Sequence, residues 1–171
     1  MPFADKPFGL NQVKVVRAGT VVTLDAAQTM QFTPRMVNAD LKGNDTIVVT
    51  SSTVDALEWS LEQGGIPLDA LAVMTGWTST TSGSTPSRIV TMVGHAGTAM
   101  PWFVIYGKSN ADDGGDTHVK IWKAKISGSI EGQFAQGEFY ISKCAGIAVE
   151  DSVKGLFDIV QNETATTLPT S

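Results

Sequence analysis

The sequence predicts a mainly β fold, built as one globular unit with a single short α-helix. Three observations carry that prediction. Runs rich in Val, Ile, Thr and aromatic residues recur along almost the whole chain, each bounded by Gly, Pro, Asn or Asp. The 17 Gly and 7 Pro fall singly or in pairs between these runs and form no repeat or linker tract. Only one segment carries helix start and stop signals together. With 171 residues and 42% hydrophobic content, the chain can bury one good core and is too short for two comfortable ones, so residues 1–171 read as one domain.

The opening runs, Gln12-Val13-Lys14-Val15-Val16-Arg17 and Thr20-Val21-Val22-Thr23-Leu24, are β-branched and separated by Ala18-Gly19, the spacing of a tight hairpin. Residues 1–11 ahead of them are expected to form a flexible arm. Next comes Met30-Gln31-Phe32-Thr33, then Pro34, which interrupts pairing, then the turn formers of Leu41-Lys42-Gly43-Asn44-Asp45. The stretch is expected as a long loop. From Ala56 to Glu62 the chain alternates strictly, with Leu57, Trp59 and Leu61 on one parity and Glu58, Ser60 and Glu62 on the other. This is a strand with a buried and an acidic face. A helix here would set Glu58 and Glu62 beside Leu57 and Leu61, and Gly64-Gly65 would end it at once.

Pro67-Leu68-Asp69-Ala70-Leu71-Ala72-Val73-Met74-Thr75-Gly76 supplies the helix: Pro at its start, Asp in the first turn, helix formers through the middle and Gly past the end. Residues 77–87 are uncharged, small and polar, and are expected as a mobile loop. Strands are expected over 88–93, 102–106, 117–126, 133–142 and 155–160. In the third of these the apolar parity switches at Ile121-Trp122, the mark of a β-bulge. Residues 162–171 are polar and are expected as a frayed or partner-dependent tail.

Catalytic patterns are near misses. Gly107-Lys108-Ser109 ends like a phosphate-binding loop, but Trp102 stands where the leading Gly must be, which removes the cradle of N–H groups. There is no Gly-x-Ser-x-Gly, no His-Glu-x-x-His and no Gly-x-Gly-x-x-Gly after a strand. The acidic run Asn110-Ala111-Asp112-Asp113-Gly114-Gly115-Asp116 lacks the ligand spacing of a calcium loop. The lone Cys144 excludes an intrachain disulfide and reads as a small buried apolar residue. Of the two histidines, His118 at a strand start reads as a rim or surface residue. The expectation is therefore no catalytic residue, no metal and no cofactor; an enzyme would need carboxylates gathered by the fold, such as Asp112 with Glu138.

The net charge of −5, with a pI near 4.9, argues against a protein held to duplex nucleic acid by its overall charge. One local patch runs the other way: Lys120, Trp122, Lys123 and Lys125 interleave cations with an aromatic, as on a surface that tracks a single strand. A small β-barrel module binding single-stranded nucleic acid or carbohydrate is thus the alternative function. The N-terminus shows no signal-peptide pattern, and the apolar run at 102–106 is far below the ~20 residues of a spanning helix, so no membrane anchor is expected.

At Lys42-Gly43-Asn44-Asp45, and above all from Glu62-Gln63-Gly64-Gly65-Ile66-Pro67 through Leu68-Asp69-Ala70-Leu71-Ala72-Val73-Met74-Thr75-Gly76, the sequence resembles the major tail tube proteins of long-tailed bacteriophages. The shared feature is the order strand, Gly-Gly, short helix, Gly. The resemblance implies a β-sandwich or distorted barrel flanked by one helix. It also implies six copies closing into a ring, and rings stacking into the virion's tail tube through which the genome is ejected. Implied partners are further copies of the chain and the tape-measure, tail-terminator and tail-tip proteins. Double-stranded DNA is implied only as passing cargo, and assembly takes place in the host bacterial cytoplasm. Within that frame Glu58, Ser60 and Glu62 are expected to face the lumen, where negative charge lets DNA slide. Contacts between subunits or rings are expected at Lys42, Gly43, Asn44 and Asp45 and at Trp77, Thr78, Ser79 and Ser84.

Overall fold

The computed structural model describes residues 6–65 and 67–170. The order of elements is β1 (Pro7–Arg17), β2 (Thr20–Leu24), β3 (Ala27–Gly43), β4 (Thr46–Gly64), α1 (Leu68–Thr75), β5 (Thr78–Ser82), β6 (Ile89–Val93), β7 (Phe103–Ala111), β8 (Asp116–Gly132), β9 (Ile141–Ala148) and β10 (Phe157–Asn162). The fold is mainly β with one short helix, as the sequence predicts. Eight strands form one antiparallel sheet in the order β2-β1-β7-β8-β9-β4-β3, with β10 paired to β8, and β5 and β6 form a separate hairpin.

The large sheet curls back on itself. β8 makes this possible by changing partners along its length: its first half lies between β7 and β10, and its second half pairs with β9. Two irregularities turn it. Trp122 and Lys123 together face Val104, which is the bulge that the parity switch predicts, and Ser127, Gly128 and Ser129 together face Ala145. Through the first bulge the buried positions move from Ile121 to Ala124 and Ile126. Closure brings Phe32 of β3 against Phe157 of β10, ring centroids 5.9 Å apart, and lays Met30 over Gly107 of β7. At the crossing of β4, β8 and β9, Gly146 leaves no room for a side chain: a Cβ there would overlap the Lys125 carbonyl oxygen and the Trp59 ring.

The enclosed core is made by Val13, Val15, Leu57, Trp59, Leu61, Phe103, Ile105 and Ile121, with Trp59 edge-on to Phe103 at 5.6 Å. Its open end is plugged by α1, which buries Ala70, Leu71, Val73 and Met74. The helix starts after Pro67 and stops at Gly76, whose φ of 75° lets its N–H reach the Ala72 carbonyl at 2.9 Å. Thr75 turns its hydroxyl back to the Leu71 carbonyl, 2.6 Å away, and so is buried without an orphaned donor.

Five expectations are corrected. Residues 30–45 are no loop: β3 continues to Gly43, because Pro34 lies on the outermost strand, where its missing N–H costs no ladder bond. Residues 77–87 are not a mobile loop either, since Thr78–Ser82 pairs with Ile89–Val93, as β-branched threonines favour. The strand expected at 133–142 lies later, at Ile141–Ala148, and the aromatic residues before it are in a connection. The tail at 162–170 is docked, with Leu168 only 2% exposed against Val16 and Tyr106. Of the arm expected at 1–11, residues 7–11 belong to β1, which pairs Pro7 with Ala111 and Phe8 with Asn110. Residues 1–5 and Ser171 lie outside the described residues.

Candidate assembly interface

β3 and β4 are both far longer than the body they help to form. β4 pairs with β9 only from Leu57 to Gly64, and its preceding part pairs with β3 alone, so residues 35–55 project as a free two-stranded arm. Its tip is a two-residue turn with Asn44 and Asp45 at φ of 49° and 64°, the left-handed geometry those side chains tolerate. The Thr46 hydroxyl donates to the Gly43 carbonyl at 2.9 Å. Where the arm leaves the body, Arg35 grips Asp55 through two nitrogens, the shorter contact 2.6 Å. The hydrogen bond holds the Asp55 carboxyl below the usual carboxylate range and raises the guanidinium.

The two faces of the arm differ. Directly paired residues share a face, so Val37, Ala39 and Leu41 lie beside Thr53, Ser51 and Val49 on one side, with no charge among them. The other side carries Met36, Asn38, Asp40 and Lys42 beside Val54, Ser52, Thr50 and Ile47, so it mixes charged residues with exposed apolar ones. Val37, Leu41 and Val49 are 48, 64 and 54% exposed. A two-stranded ribbon in water has no core of its own, and this one leaves its apolar residues uncovered.

Glu58, Ser60 and Glu62 lie on the face of β4 opposite Leu57, Trp59 and Leu61, as the alternation requires. Glu58 and Ser60 line an open groove shared with Gln31, Thr33 and Arg35 of β3 and Ala145 and Ile147 of β9. Glu62 is engaged by Lys143 of β9 at 2.9 Å, which lowers its pKa and raises that of the lysine. Arg35 and Lys143 stand beside the two glutamates, but Arg35 is paired with Asp55, so the group as a whole stays negative. Lys42, Gly43, Asn44 and Asp45 end the arm. Thr78 and Ser79 begin the second hairpin, Ser84 accepts from the Ser87 N–H in its turn at 2.7 Å, and Trp77 packs its ring against Gly94. The arm tip and the β5–β6 hairpin are separate projections.

The basic strip is present and already self-engaged. Lys120 and Lys154 lie over Trp122, 5.9 and 4.2 Å from its ring centre, and Lys123 and Lys125 lie over Trp102 at 5.4 and 5.0 Å. Trp122 also donates its indole N–H to Asp158 at 3.1 Å. Cys144 is buried, and burial pushes its thiol up to about 11, which keeps it a thiol at neutral pH. Asp112 and Glu138 flank opposite ends of β8. Among the described residues no group of three His, Cys, Asp or Glu could hold a metal, and no helix is long and apolar enough to cross a membrane.

Two features were not foreseen. Asp116 is fully buried and takes Lys108 Nζ at 2.9 Å, Asn162 Nδ2 at 2.7 Å, the Thr166 N–H at 2.6 Å and His118 Nε2 at 3.1 Å. His118 is therefore no rim residue; it is 3% exposed. The connection between β8 and β9 holds out Phe134 and Phe139, 81 and 96% exposed, with the Phe134 ring tilted at 44° against Tyr140, centroids 4.6 Å apart. Paired aromatics in Gln133-Phe134-Ala135-Gln136-Gly137-Glu138-Phe139-Tyr140 were the available signal, and they read as a strand. No family model matches this chain, and no curated protein matches it.

Proposed function

We propose that this chain is a structural protein of the tail-tube kind, whose copies close into six-membered rings that stack into the hollow tail of a bacteriophage. The observation that carries the reading is the arm at residues 35–55: paired only with itself and apolar on an uncharged face, it is a segment made to be covered by another copy. The resemblance across Glu62 to Gly76 and the order hairpin, arm, strand, helix, strands support the tube in particular. In this reading the chain works in the virion tail, is assembled in the bacterial cytoplasm, and meets tape-measure, terminator and tip proteins. It needs no catalytic group.

The test is light scattering across a concentration series, with negative-stain electron microscopy of the same samples. Six-fold rings or hollow tubes are expected. A monomer at every concentration that binds oligonucleotides in a salt-dependent way would overturn the reading in favour of the single-strand or carbohydrate module. That alternative uses the strip at Lys120 to Lys125, whose indole faces the protein's own lysines already occupy.

The lumen is assigned to the face of Glu58, Ser60 and Glu62. Glu58 is the residue to change, because Glu62 is tied to Lys143. Tubes of Glu58→Lys are expected to retain duplex DNA at low salt where wild-type tubes release it, measured by co-sedimentation. Equal retention would remove Glu58 from the lumen.

A further inference from the structure

The segment after β10 turns back over the face of the sheet that points away from the enclosed core. It crosses β8, β7 and β1 in turn and is held at four main-chain atoms. The Ala165 N–H donates to the Gly114 carbonyl at 3.0 Å, and the Thr166 N–H donates to the buried Asp116 at 2.6 Å. Lys108 donates to the Thr166 carbonyl, and Lys14 donates to the Leu168 carbonyl at 3.3 Å. One side chain is gripped: Leu168 sits against Val16 and Tyr106, with Val21, Val104 and Trp122 around them. Glu163, Thr164 and Thr167 are exposed. Thr166 is thus clamped through both its N–H and its carbonyl, and the only apolar pocket lies two residues further on.

That is the chemistry of a site for an extended peptide: main-chain hydrogen bonds supply affinity whatever the sequence, and a pocket supplies choice. The cluster under Leu168 is separate from the enclosed core, so the segment can lift without opening that core. We infer that the outer face of β1, β7 and β8 is a peptide-binding site, closed in the free chain by its own residues 163–170, whose ligand is an extended segment of a different protein with a leucine two residues after the clamped one. Identical copies carry one such segment for each such face, so trading segments between copies adds no contact. A ligand that adds one comes from another chain. Charge does not choose it: Lys14, Lys108, Lys120 and Lys154 stand among Asp116, His118 and Asp158, with Asp112, Asp113 and Glu163 at the β7–β8 turn. The leucine and the extended main chain do.

A fluorescent peptide with the sequence of residues 163–170 is the probe, read by anisotropy. In wild type it competes with a tethered segment at high local concentration, so it is expected to bind the Leu168→Ser chain at least about tenfold more tightly than wild type. The same peptide carrying Leu168→Ser should bind neither. Equal binding to both chains, or none to the Leu168→Ser chain, overturns the inference. Hydrogen exchange of wild type is the second measurement and needs no variant. The Ala165 and Thr166 amides are expected to exchange at least about tenfold faster than those in the middle of β7 and β8. Equal protection would make the segment part of the core and overturn the inference. A wild-type dimer at high concentration that Leu168→Ser abolishes would make the occupant a second copy, and would overturn the assignment to a different protein.

Discussion

Asp116 ties the segment after β10 to the body, through Asn162 and the Thr166 N–H. Burial alone would raise its pKa, but the hydrogen bonds from Lys108, Asn162, the Thr166 N–H and His118 outweigh that and hold the carboxyl well below the ordinary range. A carboxyl depressed in this way stabilises the fold fully above its unfolded value near 3.8 and loses that contribution as pH falls through the folded value. Asp116→Asn is expected to cost about 3 kcal/mol at pH 7, because it removes the fully buried carboxylate on which Lys108, Asn162, the Thr166 N–H and His118 converge and leaves the partly buried Lys108 ammonium with only the Thr166 carbonyl. Thermal melting should show a drop of roughly 6–12 °C at neutral pH that narrows as pH falls from about 5 to 2. A pH-independent difference would remove the carboxylate from the account. None of this was legible in Asp112-Asp113-Gly114-Gly115-Asp116, where a buried aspartate and two exposed ones look alike; its partners come from β7, β10 and the tail. Cys144, by contrast, was legible, since a small thiol without a nearby base belongs in a core.

At the scale of elements, the strand of Leu57, Trp59 and Leu61, the opening hairpin, the bulge at Trp122 and the helix before Gly76 could all be read from the sequence. Each has one buried face or a backbone position that few residues can occupy. The arm could not be read in the same way: Val37, Ala39 and Leu41 do alternate with Asn38, Asp40 and Lys42, but Pro34 reads as a break until its place on the edge is known, and the turn formers Gly43, Asn44 and Asp45 follow at once. The β5–β6 hairpin was hidden by its composition: threonine favours strands, but the burial that usually accompanies them is missing. β9 was hidden by small residues, including the Gly146 that its crossing requires. Because the arm touches no part of the core, replacing residues 36–54 with an Asn-Gly turn is expected to shift the melting temperature by no more than about 3 °C. A large loss of stability would show that the arm packs on the body.

For the whole molecule, an acidic chain with an exposed apolar arm at one end and bare aromatics at the other leaves apolar surface that, in the proposed reading, other copies cover. Its edges explain why that covering should be ordered. β2 and β3 end the large sheet, and an uncovered edge as long as β3 invites unregulated pairing unless assembly covers it. The excess of 17 Asp and Glu over 12 Lys and Arg holds the net charge at −5, away from zero, which opposes indiscriminate association. Association is expected to bury the arm and to tolerate salt, since its contact face is uncharged.

Sedimentation velocity of wild-type protein beside the arm-shortened variant, across the same concentrations, tests the central claim most directly. The wild type should shift from slow to fast species as concentration rises, while the variant should remain a monomer throughout. Identical distributions for the two proteins, whether both grow or both stay small, would contradict the claim that the arm drives assembly.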